Sequence, residues 1–470
     1  MAEVDEFLKR IETENVRWLD LQFVDLAGAL QHTTIATHEL TEDSVLAGLG
    51  RLDGSSIRGF QGIAESDLVL LPDLSTYHPI PWEMRAGLCY ANIGEAFGGD
   101  RYPKDSRFIA ERAEIAVKSA GYTNAFLGPE VEFYIFDSVA YNTSMPYRGQ
   151  SYQIESREGA WNSFGQNFPI GFKRGYYPAP PQDLMQLVRM QISEVLEDSF
   201  GFEVECHHHE VGSAGQGEIT FKYDSLGGAA DKVVLLKYVI KNIAAANNQI
   251  ATFMPKPIYG DNGSGMHTHV SIWKNNSNTF YDAGDKYAEL SQTARYFIGG
   301  LLEHGKALCA FTNPTTNSCK RLVQGFEAPV YLCWSRRNRS AAVRVPVYDT
   351  GNEASKRIEF RVPDPSANPY FAFAAIMAAG LDGIRKKADP GDPVDEDVYS
   401  MDEKTRKSHG IEAVCGSLGG SLDALKSDDK FLKGIFTNEV LDSYALLKRG
   451  EEKENGRMPT PWEFQEYLNV

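Results

Sequence analysis

Glu130 and Glu132 lie two residues apart in the run Glu130-Val-Glu-Phe-Tyr-Ile135. In an extended strand successive side chains alternate between faces, so both carboxylates point one way while Val131, Phe133 and Ile135 point the other. The pattern recurs. His267, His269 and Ser271 share a face, as do Arg357, Glu359 and Arg361, which are backed by Ile358, Phe360 and Val362. Glu218 heads a similar run. The segment Glu205-Cys-His-His-His-Glu210 is denser, but Glu205 and Glu210 differ in parity, so only a bulge or bend would bring both to one place. Taken singly, each strand reads as the exposed face of an antiparallel sheet. Together they repeat Glu, His and Arg instead of mixing Thr, Lys and Gln, which fits a sheet curved around a polar cavity.

Carboxylates with one or two imidazoles and no thiolate form the ligand set of hard divalent ions, Mg²⁺ or Mn²⁺. Crowded carboxylates also need cations to neutralise them. Arginine, the fixed cation that forks onto carboxylate and phosphate, is concentrated at Arg321, Arg336, Arg337, Arg339, Arg344, Arg357 and Arg361. Divalent metal with arginine points to phosphoryl transfer. The turn Gly260-Asp-Asn-Gly-Ser-Gly265 permits close backbone approach to a ligand, although most such turns are only turns. No Walker A or kinase signature occurs, so the nucleotide fold is a different one.

These residues need a scaffold of strands. Periodicity predicts a helix over 4–13, strands over 17–24 and 30–35 joined by a turn at Asp25–Gly28, and strands over 68–74 and 87–93. Residues 1–103 thus read as a small mixed domain, closed by the segment Gly98-Gly-Asp-Arg-Tyr-Pro103. A helix follows from Ser106 to about Ser119. Residues 104–470 form the larger domain, with strands predicted over 129–136, 202–211, 218–223, 251–254, 265–273 and 357–362. Its helices are predicted over 182–199, 226–249, 286–310 and 368–385. Residues 140–180, rich in Gly, Tyr, Ser and Pro, read as a long ordered loop of the kind that covers a site.

The 470 residues exceed one compact core. A formal charge of −17 disfavours nucleic-acid binding. The six cysteines include no C-x-x-C pair, which fits free thiols in a reducing compartment. The start of the chain lacks the apolar core of a signal peptide, and the apolar stretch around 371–380 is too short to span a bilayer. A cytoplasmic protein without membrane partners is expected.

The chain resembles the type I, prokaryotic glutamine synthetases. The matching segments are Asp53-Gly-Ser-Ser56, Glu130-Val-Glu-Phe133, His208-His-Glu-Val211, Gly215-Gln-Gly-Glu218 and Lys256-Pro257 through Asp261-Asn-Gly-Ser-Gly-Met-His-Thr-His269. They continue through Asn313–Ser318, Lys320–Val323, Gly325-Phe-Glu-Ala-Pro329, Arg337-Asn-Arg-Ser-Ala341 and Arg357-Ile-Glu-Phe-Arg-Val-Pro-Asp-Pro365, in family order over nearly the whole chain.

The resemblance implies an α+β architecture: an N-terminal β-grasp domain, then a catalytic domain with helices packed on a curved antiparallel sheet. It implies a glutamate–ammonia ligase that uses ATP, two or more Mg²⁺ per subunit (Mn²⁺ as alternative) and a γ-glutamyl phosphate intermediate in nitrogen assimilation. It implies a dodecamer of two hexamers, in which Asp53 serves the neighbour's site. By the same resemblance Glu132, Glu210 and Glu218 hold one metal, and Glu130, His267 and Glu359 the other. Asn262, Gly263, Arg321, Glu327 and Arg361 bind glutamate, while Glu205, His269, Ser271, Arg339 and Arg344 face ATP. Asp53, Glu327 and Arg339 are catalytic, the first two drawing ammonium in and deprotonating it, and Tyr176 is a substrate-side residue. On its own, Asp53 in Asp-Gly-Ser-Ser reads as a turn or cap residue. His207 and His208 read as structural.

Residues Glu155–Asn162 resemble an insertion of the longer, adenylylated subclass, in which a loop tyrosine accepts AMP from a regulatory protein. Tyr399 falls in that region, without the surrounding Leu-Pro-Pro pattern. Gln61-Gly62 stand near the position of the shorter subclass's feedback arginine, and Ala354 takes the place of a lysine common before the Arg-Ile-Glu motif. Two rival readings remain: a ligase joining glutamate to another amine, which would relax the ammonium pocket, and a non-catalytic scaffold, which would lose metal or phosphate ligands.

Overall fold

An amphipathic helix, α1 (Ala2–Thr13), buries Val4, Phe7 and Ile11 against the first sheet of the structure, a computed structural model. All residues are described except 1, 65, 97–98, 163–167 and 348, so Gly98 of the expected domain boundary and part of the expected 140–180 loop lie outside them. Strands β1 (Trp18–Val24) and β2 (Leu30–Ala36) form a hairpin whose turn is fixed by Asp25, which accepts from the amides of Ala27 and Ala29 at 3.0 and 2.8 Å. Gly28 supplies the positive φ the turn needs, +96°. Strands β3 (Gly50–Asp53), β4 (Asp67–Pro72) and β5 (Ala86–Glu95) complete the order β2-β1-β5-β4-β3. The central β1–β5 pair is parallel, and its neighbours are antiparallel.

Helix α2 (Ser106–Ser119) starts at Asp105, whose carboxylate caps Arg107 N at 3.0 Å. Arg107 then ties the two parts of the chain together. Its guanidinium reaches Asp73 at 2.7 Å and grips both oxygens of Asp231, which also accepts from the Tyr370 hydroxyl at 2.6 Å.

The second sheet carries the anomalous charges. Its main strands are β6 (Asn124–Phe136), β7 (Val204–His209), β8 (Gln216–Phe221), β9 (Met266–Lys274), β10 (Tyr331–Arg336), β11 (Ala341–Val345) and β12 (Ile358–Phe360). They run in the order β7-β8-β6-β9-β12-β11-β10, antiparallel except for the β10–β11 pair. One face packs against α3 (Gln186–Phe200), α4 (Leu226–Ala246) and α7 (Pro369–Lys386) through residues such as Val131, Phe133, Val270 and Phe360.

The structure differs from the predicted elements in two places. The helix expected over 286–310 is split into α5 (Gln292–Glu303) and α6 (Gly305–Thr312) at His304, whose ring is held between Asp382 and Asp428. Residues 140–180 contain a strand pair, Ser138–Asn142 with Ser151–Glu155. Helices α5 and α7 cross through glycines: a Cβ on Gly300 would lie 2.1 Å from the Ala379 carbonyl oxygen, and one on Gly383 2.3 Å from that of Tyr296.

Candidate functional site

Strand register determines which charges meet. In a sheet, directly opposed residues project to the same side. His267 opposes Glu130, Glu218 opposes Glu132, His208 opposes Glu218, and His269 and Arg344 both oppose Glu359. One face of the sheet therefore gathers every one of these groups. The pairing of β7 with β8 shifts between Val204 and Cys206, a bulge at Glu205. This is the irregularity the parity of Glu205 and Glu210 demanded, and both residues line the same cavity.

The cavity has a volume of about 320 Å³. Glu130, Glu132, Tyr176, Glu205, Glu210, Glu218, Asn262, Gly263, His267, His269, Arg321, Glu327, Arg339, Arg344, Glu359 and Arg361 all line it. Two site candidates do not. The Ser271 hydroxyl accepts from Trp273 Nε1 at 3.0 Å, outside the lining. Asp53 is an exposed cap that accepts from Ser55 N, Ser55 Oγ and Ser56 Oγ at 2.9, 2.7 and 2.9 Å, so the cap geometry expected of the bare motif is present.

Two groups of ligand atoms in the cavity lining lie close enough for a shared cation, within 4.8 Å of one another. One is Glu130, His267 and Glu359. The other is His208, Glu210 and Glu218, with His208 Nδ1 3.4 Å from Glu210 and Nε2 3.5 Å from Glu218. Glu132 stands beside the second group, its Oε2 accepting from Gln216 Nε2 at 3.1 Å and Gly265 N at 3.0 Å. The sequence reads His208 as structural, whereas the structure places it among the ligand atoms of the second group. Its shared parity with Glu210 was the available signal. Its ring is flanked by Tyr177, centroids 4.8 Å apart, which stacks in turn on Tyr176.

Electrostatics separate the two groups. Burial, followed by the charges of neighbouring glutamates, pushes the carboxyls of Glu210 and Glu218 well above the usual range. Burial also acts on Glu130, but His269 and His267 outweigh it and hold that group well below its ordinary value. For Glu359, burial is overcome first by Arg361, leaving the carboxyl at about 2. Arg344 and Arg361 donate to its two oxygens. A surplus of buried carboxylate with imidazole beside it is the donor chemistry of a divalent cation, so the residues fit such a group.

The glycine turn gives Arg321 room. Asp261, fully buried, accepts from Lys173 N, Asn262 N, Ser213 N and Ser213 Oγ, which fixes the turn. A Cβ on Gly263 would lie 2.9 Å from Arg321 Cγ, and one on Gly265 would lie 2.6 Å from an Arg321 Nη atom and 2.8 Å from His267 Nε2. The Arg321 guanidinium is oriented by two carbonyls, Nη1 donating to Val362 at 2.8 Å and Nη2 to Arg361 at 3.2 Å. Tyr399 is half-buried and donates its hydroxyl to the carbonyl of Ala328, next to Glu327.

Fold and cavity together define a cation-dependent enzyme for anionic substrates. The glutamine synthetase β-grasp domain model matches residues 15–93, and the glutamine synthetase catalytic domain model matches residues 103–467. The chain belongs to the glutamine synthetase family. It is 52% identical over 465 residues to a glutamine synthetase of Sulfolobus acidocaldarius, covering 99% of this chain and 98% of that one. It is 47% identical over 472 residues to one of Aquifex aeolicus, covering 99% of each. Among solved structures it is similar to a Plasmodium falciparum glutamine synthetase, with a TM-score of 0.89, 28% identity and coverage of 99% and 98%.

Proposed function

We infer that the chain joins ammonia to L-glutamate with cleavage of ATP, giving L-glutamine, ADP and phosphate. The observation that carries this reading is the single sheet face on which two carboxylate–imidazole groups and the arginines Arg321, Arg344 and Arg361 converge. The family membership supports it.

In this reading Glu130, His267 and Glu359 hold one divalent cation, and Glu132, Glu210 and Glu218 another, with His208 beside the second. Bound Mg²⁺ or Mn²⁺ supplies Lewis-acid neutralisation of phosphate charge. Arg321 and Arg361, with Asn262 and Gly263, orient glutamate. Its γ-carboxylate oxygen attacks the terminal phosphorus of ATP, the bond to ADP breaks, and γ-glutamyl phosphate forms. Arg339 and Arg344 stabilise the charge on the transferring group. Glu205, His269 and Ser271 contact the nucleotide; the Ser271 hydroxyl accepts from Trp273 and keeps its own proton to donate. Ammonium is drawn between Glu327, Tyr176 and Asp53 of a neighbouring subunit, and loses a proton to a carboxylate. Ammonia then attacks the acyl carbon, and phosphate leaves. Glu327 lies on a flap-like segment before Ala328-Pro329, and this flap excludes water from the acyl phosphate.

Homo-oligomerisation accompanies this reading, with a dodecamer of two hexamers as the proposed form. Two features support assembly: Asp53 is absent from its own chain's cavity lining, and the C-terminal helix Pro461–Tyr467 exposes Trp462, Phe464 and Tyr467. Six free thiols support a reducing, cytoplasmic setting. No helix among the described residues is long and apolar enough to cross a membrane.

The test is phosphate release from ATP with purified protein, Mg²⁺ and glutamate, with and without ammonium. Ammonium-dependent release that yields glutamine and falls in Asp53→Ala is expected. Release that ignores ammonium but responds to an organic amine would replace this reading with that of an amine ligase, and no release at all would leave a scaffold.

A further inference from the structure

Glu327 has an unusual backbone. Its φ is +58°, a region that costs a side-chain-bearing residue about 1 kcal/mol and persists only where the surroundings over-determine it. Its carboxylate nevertheless faces the cavity, while the residue itself is exposed. The run 323–325 is itself exposed, tied down by the Gln324 side chain, which donates to the Tyr331 hydroxyl at 2.5 Å, and by the Gly325 carbonyl.

Its two chain neighbours are both gripped from outside the segment. The Phe326 ring receives two ammonium groups: Lys173 Nζ lies 4.0 Å from the ring centroid and Lys256 Nζ 3.6 Å. Lys173 also donates to the Gly325 carbonyl at 2.9 Å. Lys256 donates to the Asp261 carbonyl, so its ammonium group is anchored on the turn that carries Asn262 and Gly263. On the other side, Tyr399 donates its hydroxyl to the Ala328 carbonyl and packs against the small apolar cluster that includes Tyr331 and Cys333. The segment is thus tied to the glutamate-side turn by one neighbour of Glu327 and to the 394–401 loop by the other.

We propose that Lys256 and Tyr399 are positioning residues, which latch Phe326 and Ala328 so that Glu327 faces the cavity and the flap stays shut over the acyl phosphate. This rests on the ligase reading above and adds to it the residues that set ammonium capture and water exclusion. Neither group need touch substrate. Loosening either side lets Glu327 leave its strained backbone region, which spoils the ammonium site and admits water, while Arg321, held by the Val362 and Arg361 carbonyls, and Arg361, held by Glu359, keep their places on the glutamate.

The test uses full-length Tyr399→Phe, and Phe326→Leu, which removes the ring that both lysines face. Each is first shown to unfold at the wild-type temperature. Kinetics are measured for all three substrates, together with the ratio of phosphate to glutamine and hydrogen–deuterium exchange over residues 322–330. We expect the ammonium KM to rise about tenfold. Phosphate should exceed glutamine, exchange in the flap should quicken, and glutamate and ATP KM should stay near wild type. Faster exchange with an unchanged ammonium KM and product ratio would overturn the proposal, as would unchanged exchange, or losses spread equally over the three substrates. A wild-type protein that makes no glutamine would instead sink the underlying ligase reading, and the exchange measurement would still report on the latch.

Discussion

The Nε2 nitrogen of His269 lies 2.8 Å from Oε1 of Glu130, and the direction of that bond is fixed from the far side of the ring. Arg357 Nε stands 3.1 Å from His269 Nδ1. A guanidinium can only donate, so Nδ1 accepts and Nε2 carries the proton given to Glu130. His269 therefore orients a carboxylate assigned to the His267 metal group. His269→Ala is expected to weaken metal binding by about 10–100-fold, the usual effect of losing such a support. Calorimetric titration with Mn²⁺ checks this; unchanged metal affinity with a raised ATP KM would confine His269 to the nucleotide.

Glu210 and Glu218 repel each other, so a cation seated between them is expected to stabilise the fold. A divalent cation at a hundredfold its Kd is expected to add about 2.7 kcal/mol to the unfolding free energy, and a chelator to remove it. Thermal scans with and without Mg²⁺ measure the shift. Glu218→Gln should lose most of it and lose activity; an undiminished shift in that variant would place the cation elsewhere.

Gly265→Ala reads the room left for Arg321. The added methyl would meet the Arg321 guanidinium and the His267 ring at once. The expected result is a glutamate KM raised about tenfold, roughly 1.4 kcal/mol of binding, with little change in fold. A variant that binds glutamate normally would show that Arg321 does not hold it.

His304 gives a pH dependence far from the cavity. Its nitrogens face Asp428 at 2.7 Å and Asp382 at 2.9 Å, so both donate and the ring is an imidazolium. Burial works against the charge, but the two carboxylates outweigh it and raise the group above its ordinary value near 6.5. The folded state holds the proton more tightly than the unfolded one. This stabilisation is complete below about pH 6.5 and is lost as pH rises through the folded value. His304→Gln should cost about 2–3 kcal/mol at pH 6 and progressively less at higher pH. Denaturant melts from pH 6 to 9 check it; a pH-independent cost would mean the ring is neutral.

The charged strand faces were legible because a strand alternates with a period of two, so Glu130 with Glu132 and His267 with His269 announce a shared side whatever the fold. Partnership across strands was harder to read. That His208 sits with Glu210 and Glu218, while Glu132 turns to Gln216 and Gly265, depends on the register of β7, β8 and β6, which local sequence does not encode. The bulge at Glu205 could be required by parity but not located. The break at His304 was missed because the apolar pattern runs through it; carboxylates distant in sequence, Asp382 and Asp428, make it. The grip on Phe326 and Ala328 joins four separate segments and leaves no local trace.

The opposed pairs of the second sheet also constrain how such a chain can change over generations. Each strand offers its functional side chain every other residue, so the loss or gain of one residue inside β6, β8, β9 or β12 turns that strand's contribution into the hydrophobic layer and puts an apolar residue in the cavity. Length variation is tolerable only outside these strands, as in the surface pair Ser138–Asn142 and Ser151–Glu155 and the loops beside it. Gain or loss of a residue is thus expected to be tolerated in such surface segments and not within Glu130–Glu132, His267–His269 or Arg357–Arg361.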